Sequence, residues 1–421
     1  MNDNIVFLQP KIYGSRRHWR TCDTEQELIL GMLDTATIEF IREHRNDDVR
    51  KLALQTGRYP TVDMRKAVTQ IEGWQQAREK LPAWASVDGI IYPPKISMEQ
   101  CSSEKTARYK ATQIEGERFA DLTGGFGIDF SYMARNFNEA LYIERNKNLC
   151  DIATANLSLL GLNHTKVLNG NSEELFDSLP HLDWIFVDPA RRDGDGRKVV
   201  ALSDCEPNVV ELDLLSKADK AMIKCSPMLD ITMACRQLKN VSAVHIISVN
   251  NECKELLIIQ DSSEFTGSTT HCVNILKDGT TQVFSFTQDE EETACVSYCS
   301  EVGEYLYEPN ASVQKAGCPK NLSSHYKVGK LHPNSHLYTS DERIHDFPGR
   351  TFKVVEVLGF SKADIKRVQS LGKANITVRN FPENVQLLRK RLKLADGGDN
   401  YIFATTLSDG SKALLLCKKA E

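Results

Sequence analysis

Between Asp23 and about Ala85 the apolar residues recur at three- and four-residue steps among charges: Leu28, Leu30, Met32, Leu33, Ile38 and Ile41, then Val68, Ile71 and Trp74. That period is the mark of amphipathic helix. Thr61, following Pro60, reads as a helix N-cap, and Pro82 reads as the end of that helix. Residues 23–94 are therefore predicted to form a helical domain that closes on the crossing Ile91-Tyr92-Pro93-Pro94. Residues 1–22 hold Pro10, Gly14, Arg16, Arg17 and Arg20 without any period, and read as a loose leader.

A further helix is expected at about Ser102–Gln113, and beyond it the pattern changes. Short apolar runs (Arg118–Leu122, Ala140–Ile143, Val167–Leu168, Trp184–Val187, Ala221–Ile223) end in polar residues and alternate with helical stretches. Strand–helix alternation of this kind gives a parallel sheet covered on both faces. Val241–Val249 and Leu256–Gln260 follow one another without a helix, so an antiparallel hairpin is expected at the end of the sheet. The expectation is a seven-stranded, doubly wound α/β domain over 95–262. Residues 263–345 read as strands and turns, with Asp278-Gly279 joining Val273–Leu276 to Gln282–Phe286. Residues 346–421 read as a small α+β module, whose last two strands meet at Ser408–Ser411.

Composition narrows the class. At 41% hydrophobic and 26% charged residues, with no apolar run of about 18, the chain is expected to be globular and outside the membrane. No basic stretch precedes an apolar core near Met1, so a cytoplasmic location is expected. The twelve cysteines are scattered and form no C-x-x-C pair. Free thiols and no metal site are therefore expected.

The chemistry sits where strands end. Phe119-Ala120-Asp121 runs into Leu122-Thr123-Gly124-Gly125-Phe126-Gly127-Ile128-Asp129, an acid followed by a glycine turn that opens a helix. The spacing is not that of a dinucleotide fingerprint, and Asp121 would repel a phosphate. It suits a cationic head such as an amino group; the alternative is a tight strand–helix turn. Glu144 closes the next strand, 23 residues on, where a carboxylate can accept two ribose hydroxyls. In Asn169-Gly170-Asn171-Ser172 a short amide could read an adenine edge, or the segment is only a turn. The fourth strand ends in Asp188-Pro189-Ala190-Arg191-Arg192 and the fifth in Lys224, both on the rim where open α/β sheets bind ligands. A lysine there can also be a solvated edge residue.

Taken together, Asp-x-x-Gly-Gly-x-Gly, Glu144, Asn171 and Asp188-Pro189 resemble a class I S-adenosylmethionine-dependent methyltransferase. More narrowly, Gln100–Ala107, Asp121–Asp129, Asp188–Arg192 and Lys224–Asp230 resemble an uncharacterised bacterial group, common in Bacteroidetes. In that group a Rossmann-like methyltransferase domain is joined to a small ferredoxin-like segment and a C-terminal THUMP-like domain. The resemblance implies that Asp121, Thr123, Gly125 and Gly127 hold the methionine part of S-adenosylmethionine, Glu144 its ribose and Asn171 its adenine. Thr123 replaces the commonest pattern's first glycine, and Asn171 its aspartate. Asp188-Pro189-Ala190-Arg191 departs from the Asn/Asp-Pro-Pro-aromatic signature of exocyclic-amine methyltransferases.

The residues expected to act on the acceptor are Asp188, Pro189, Arg191 and Lys224, with Asp188 orienting it or taking its proton. Lys110, Asp188, Lys224 and Glu255 are also the residue types a ribose-hydroxyl methyltransferase assembles. Such a set arises readily by chance in a charged stretch of this length. The net charge of −5 speaks against a uniformly basic nucleic-acid coat, but it is an average. Residues 351–421 carry 13 Lys and Arg against 7 Asp and Glu, a net of +6, leaving −11 on the rest. Arg389, Lys390, Arg391 and Lys393 lie along one helix, with Arg379 and Phe381 nearby. They read either as a solvated face or as a phosphate-binding one. THUMP-like modules are associated with RNA in other modification enzymes, so the resemblance points to structured RNA, ribosomal or transfer, as the partner. The alternatives are a small-molecule methyltransferase with structural accessory domains and a non-catalytic RNA-binding protein.

Overall fold

The computed structural model describes residues 32–191, 202–263 and 267–420; the expected leader, 1–22, lies outside them. The chain divides into two compact units. One comprises the described residues up to Gln100 together with Asp151–Asn163, the other Cys101–Cys150 together with the chain from His164 onward.

The first unit is helical, as its 3.6-residue period requires, with helices Thr35–His44, Val49–Ala53, Met64–Lys80, Pro82–Ala85 and Lys95–Gln100. Phe40, Leu52, Met64, Ala67 and Ile71 form its core. The long helix is capped by Asp63, whose carboxylate accepts the Lys66 amide, and not by Thr61. Aspartate is the stronger cap because it brings a charge to the positive end of the helix dipole. Pro82 stands at the first turn of the next short helix, where its missing N–H costs nothing. The Ile91–Tyr92 crossing is fixed by two buried amides. Gln70 bonds both backbone groups of Tyr92 at 2.8 Å, and Asn156 both of Ile91 at 2.9 and 2.8 Å.

In the second unit the strands expected from short apolar runs form one sheet. They are β1 (Arg118–Asp121), β2 (Glu139–Glu144), β3 (Thr165–Asn169) and β4 (Leu182–Val187), then, after a two-residue ribbon of β5 (Ala190–Arg191) and β6 (Cys205–Glu206), β7 (Ala218–Cys225), β8 (Val241–Val249) and β9 (Glu252–Asp261). Neighbours from β3 through β2, β1 and β4 to β7 are parallel, and β9 runs antiparallel between β7 and β8. Parallel strands all end on one rim, which collects Asp121, Glu144, Asp188 and Lys224 there.

The sheet does not stop at the β8–β9 hairpin, as the sequence suggested. β10 (Thr269–Ile275) pairs parallel to β8 and β11 (Thr281–Thr287) antiparallel to β10, giving nine strands. The hairpin expected among the later strands belongs here because Cys272, Phe284 and Phe286 face the same apolar cluster as Val244 and Ile246. The β8–β9 turn is Asn250-Asn251, both at positive φ, 50° and 66°. Asparagine tolerates that conformation better than most residues, so it suits a two-residue hairpin turn.

The remaining strands are β12 (Tyr305–Pro309), β13 (Gly329–Lys330), β14 (Tyr338–Ser340), β15 (Gly349–Leu358), β16 (Asn375–Val378), β17 (Tyr401–Thr406) and β18 (Lys412–Lys419). They make a single seven-stranded sheet in the order β13-β14-β12-β15-β18-β17-β16, because β12 and β15 pair over five residues. Along β18 the period of two decides the packing. Leu414 and Leu416 join one core with Leu388 and Leu392, while Ala413, Leu415 and Cys417 join another with Phe352 and Phe403. Both faces of the strand are therefore buried, and Lys418 and Lys419 mark where burial ends. Helix Val385–Leu392, capped by Asn384, lays Leu388 on the sheet and leaves Leu387 about half exposed. Leu388→Ala should lower unfolding stability by about 2–5 kcal/mol and Leu387→Ala by less than about 0.5 kcal/mol, as read in denaturant titrations.

Candidate active site on the strand rim

The glycine turn owes its shape to its neighbours. Gly125 and Gly127 hold φ of +57° and +85°, and Gly127 begins the helix Ile128–Met133. Gly124 is required for a different reason. A Cβ added there would lie 2.2 Å from the Tyr142 ring, which is fully buried and whose hydroxyl donates to the Gly125 carbonyl at 2.5 Å. At Gly125 an added Cβ would meet only the Thr123 carbonyl, at 3.7 Å, so the mouth of the turn is open.

Thr123 explains its own departure from glycine. Its hydroxyl accepts the Asp188 amide at 2.7 Å and donates to Asp121 at 3.2 Å, and its amide also donates to Asp121, at 2.8 Å. One side chain thus links the ends of β1 and β4. Among the described residues, Asp121 receives hydrogen bonds only from Thr123, and no cation pairs with it. Burial pushes its carboxyl up to about 8, and Asp129 and Asp188 nearby add to the rise. A buried acid in that state is suited to a cationic ligand group.

Glu144, half-buried at the end of β2, accepts the Gly125 amide at 2.9 Å and the Asn146 amide at 2.8 Å, one on each oxygen. A carboxylate has about four acceptor positions, so both oxygens keep capacity for a pair of hydroxyls. Asn169 spends its amide nitrogen on the carbonyls of Glu144 and Arg145. Asn171 uses its side-chain oxygen to cap the short helix Ser172–Leu175, with the Glu173 amide as donor. Its amide nitrogen makes no hydrogen bond among the described residues.

Behind the rim lies a chain of alternating charges. Glu255 on β9 meets Lys110 at 2.5 Å, Lys110 meets Asp129 at 3.1 Å, Asp129 meets Lys224 at 3.3 Å, and Lys224 meets Asp188 at 2.6 Å. Ser102 donates to Asp129 at 2.7 Å. Lys110 is completely buried, and Asp188 at 40% is the one well-exposed side chain of the five. Burial alone would push Lys224 down, but Asp188, Asp129 and Glu255 together hold it well above the ordinary lysine value. Asp129 is held below the usual carboxylate range, because Lys110 and Lys224 outweigh its burial. Asp129 stood inside the glycine motif without a role. An acid on the first turn of a helix that opens beside a lysine-bearing strand end was the available signal.

Pro189 lies half-buried beside Asp188, and the Arg191 backbone pairs with Cys205 in the short ribbon; the Arg191 side chain lies outside the described residues. In the C-terminal module three of the five expected RNA-facing cations have intramolecular partners. Arg379 pairs with the buried Glu308 at 2.5 Å, Arg389 with Asp396 at 2.6 Å and Arg391 with Glu383 at 2.5 Å. Lys390 and Lys393 are exposed and make no ion pair among the described residues. Phe381 stacks on Phe360 with centroids 5.5 Å apart.

The Asp121 carboxyl has a consequence for the ligand-free protein. Its folded value stands above the ordinary 3.8, so the folded state binds a proton that the unfolded state has lost across the interval from 3.8 to about 8. Wild type should therefore lose thermal stability relative to Asp121→Asn as pH rises through that interval, with a flat difference below it. Melting curves at pH 4, 6 and 8 check this.

Three family models match the chain: conserved hypothetical protein 95 over residues 104–246, a ferredoxin-like domain over 305–348 and a THUMP domain-like module over 349–419. No curated protein matches it in sequence. Among solved structures, a candidate methyltransferase from Porphyromonas gingivalis W83 is 35% identical, with a TM-score of 0.84, over 94% of this chain and 99% of that one. Mycoplasma capricolum TrmK, in complex with S-adenosyl-homocysteine, is 13% identical over 39% of this chain and 69% of its own, TM-score 0.31. A ribosomal RNA methylase from Streptococcus thermophilus is 12% identical over 37% of this chain and 94% of its own, TM-score 0.29. Those two likenesses are too weak to bear on function. The Porphyromonas structure, matched nearly end to end, places the chain: it belongs to the class I S-adenosylmethionine-dependent methyltransferase family with a C-terminal THUMP-like domain.

Proposed function

We propose that the chain is an S-adenosylmethionine-dependent RNA methyltransferase that grips structured RNA through its basic C-terminal module. The observation that carries the catalytic half is the buried, cation-free carboxyl of Asp121 beside an open glycine turn. The site fits this cofactor. Asp121 takes the α-ammonium, the backbone at Gly125 and Gly127 leaves room for the methionine chain, Glu144 takes the ribose hydroxyls, and the Asn171 amide faces the adenine. When bound, S-adenosylmethionine supplies an electrophilic methyl carbon next to a sulfonium. Thr123 holds Asp121 and Asp188 in register, so the ligand's charged head and the acceptor's binding group are positioned by one hydroxyl.

Support for RNA comes from the THUMP-like match over 349–419 and the excess of basic residues in the same segment. Lys390 and Lys393 carry the grip, because Arg379, Arg389 and Arg391 are engaged within the chain.

Calorimetry should detect S-adenosylmethionine binding to the wild type, weakened at least tenfold in Asp121→Ala and in Glu144→Ala. Unchanged affinity in both would misplace the pocket. Lys390→Glu with Lys393→Glu should weaken RNA binding and reduce its logarithmic salt slope by about 2, roughly one per phosphate contact. RNA binding that ignores both substitutions would place the grip elsewhere than Lys390 and Lys393, and no RNA binding by the wild type would favour the small-molecule reading.

A further inference from the structure

The charge chain Glu255–Lys110–Asp129–Lys224–Asp188 joins β9, the helices before and after β1, β7 and the end of β4, and reaches solvent substantially only at Asp188. Burying the other four ionised side chains is costly, and apolar residues of similar volume often serve stability as well or better. The ordering has a chemical result at its exposed end. Lys224 has three donors, of which Asp188 and Asp129 take two; the third is not engaged among the described residues. The rim thus presents an ammonium donor and a carboxylate acceptor side by side, with nitrogen and oxygen 2.6 Å apart.

A hydroxyl is the group that matches this pair, since it has one proton to give and lone pairs to receive. An adenine ring nitrogen has no proton for Asp188, and a guanine or uracil ring N–H has a proton but no free lone pair on that nitrogen to receive Lys224. An exocyclic amine has two, and the residues that follow Asp188 are Pro189 and Ala190, with no aromatic ring to stack its base. Resting on the RNA reading above, we propose that the methyl acceptor is the ribose 2′-hydroxyl, with Lys224 donating to its oxygen and Asp188 receiving its proton.

The step balances as follows: the acceptor oxygen bonds to the methyl carbon, the carbon–sulfur bond breaks with its electron pair staying on sulfur, and the hydroxyl proton passes to the Asp188 carboxylate. A carboxylate suffices as base because the proton becomes strongly acidic as the new oxygen–carbon bond forms. Lys224 does not take that proton, since three carboxylates keep it charged. Asp188 can release the proton to water, its side chain being 40% exposed. Lys110, Asp129 and Glu255 are positioning residues that fix the ammonium.

The test uses the full chain, methyl-labelled S-adenosylmethionine, and ribosomal and transfer RNA from a strain lacking the gene. The RNA is digested to nucleosides for mass spectrometry and, in parallel, hydrolysed in alkali. Label in a 2′-O-methyl nucleoside, carried by an alkali-resistant dinucleotide, is the expected result. Label in a methylated base overturns this inference and leaves the RNA reading standing. No label in either RNA, with cofactor binding intact, overturns both. Asp188→Asn should lose at least about 100-fold in kcat, with S-adenosylmethionine affinity by calorimetry unchanged within about threefold. A variant that keeps wild-type kcat removes Asp188 as proton acceptor. Lys224→Arg retains the charge and guards against misfolding in Lys224→Met; both should lower kcat and leave cofactor affinity intact.

Discussion

A completely buried ammonium, that of Lys110, ties together three elements on which the site depends. Its helix precedes β1, Asp129 opens the helix after β1, and Glu255 sits on β9. Removing one member of such a group leaves an uncompensated charge in a medium that solvates it badly, at a cost of about 3–5 kcal/mol. Alternation of sign is therefore a structural constraint as much as a chemical one. It sets where Lys224 points, and Lys224 in turn sets Asp188.

The same rim shows how a small departure from a motif is absorbed. Threonine in place of the first glycine gives up some backbone freedom and gains a hydroxyl that links two strand ends. The glycine that tolerates no replacement is Gly124, because the Tyr142 ring occupies the space a side chain would need.

Much of this was legible in the sequence. Apolar runs ending in acids place β1, β2 and β4 to within a residue or two, because parallel strands buried on both faces admit few polar residues before the rim. Sheet membership was harder to read. The β10–β11 hairpin carries an ordinary hairpin signal, and nothing local states that its partner is β8; the contact between Phe284 and the main core decides that. The helix caps show the same limit, since Thr61 and Asp63 are both good caps and only the fold selects between them. Among site residues, the strand-end acids announced themselves and Lys110 and Glu255 were legible only as a set that chance could supply, whereas Asp129 became meaningful only once it stood between Lys110 and Lys224. The basic helix shows the converse. Sequence counts charges, but pairing with Glu308, Asp396 and Glu383 removes part of the apparent surplus.

The apolar cluster beneath the large sheet does not end with that sheet. It continues from Cys272 and Phe284 into Tyr307, Leu322, Tyr338 and Phe347, and β12 in turn is hydrogen-bonded to β15. The three matched segments are therefore joined by shared packing and by main-chain hydrogen bonds. From the basic helix, packing on β18 and the main-chain bonds of β18 to β15 and of β15 to β12 lead toward that cluster. On the proposed RNA reading, the fold sets a distance between the basic helix and the strand rim, and a substrate must supply the matching length.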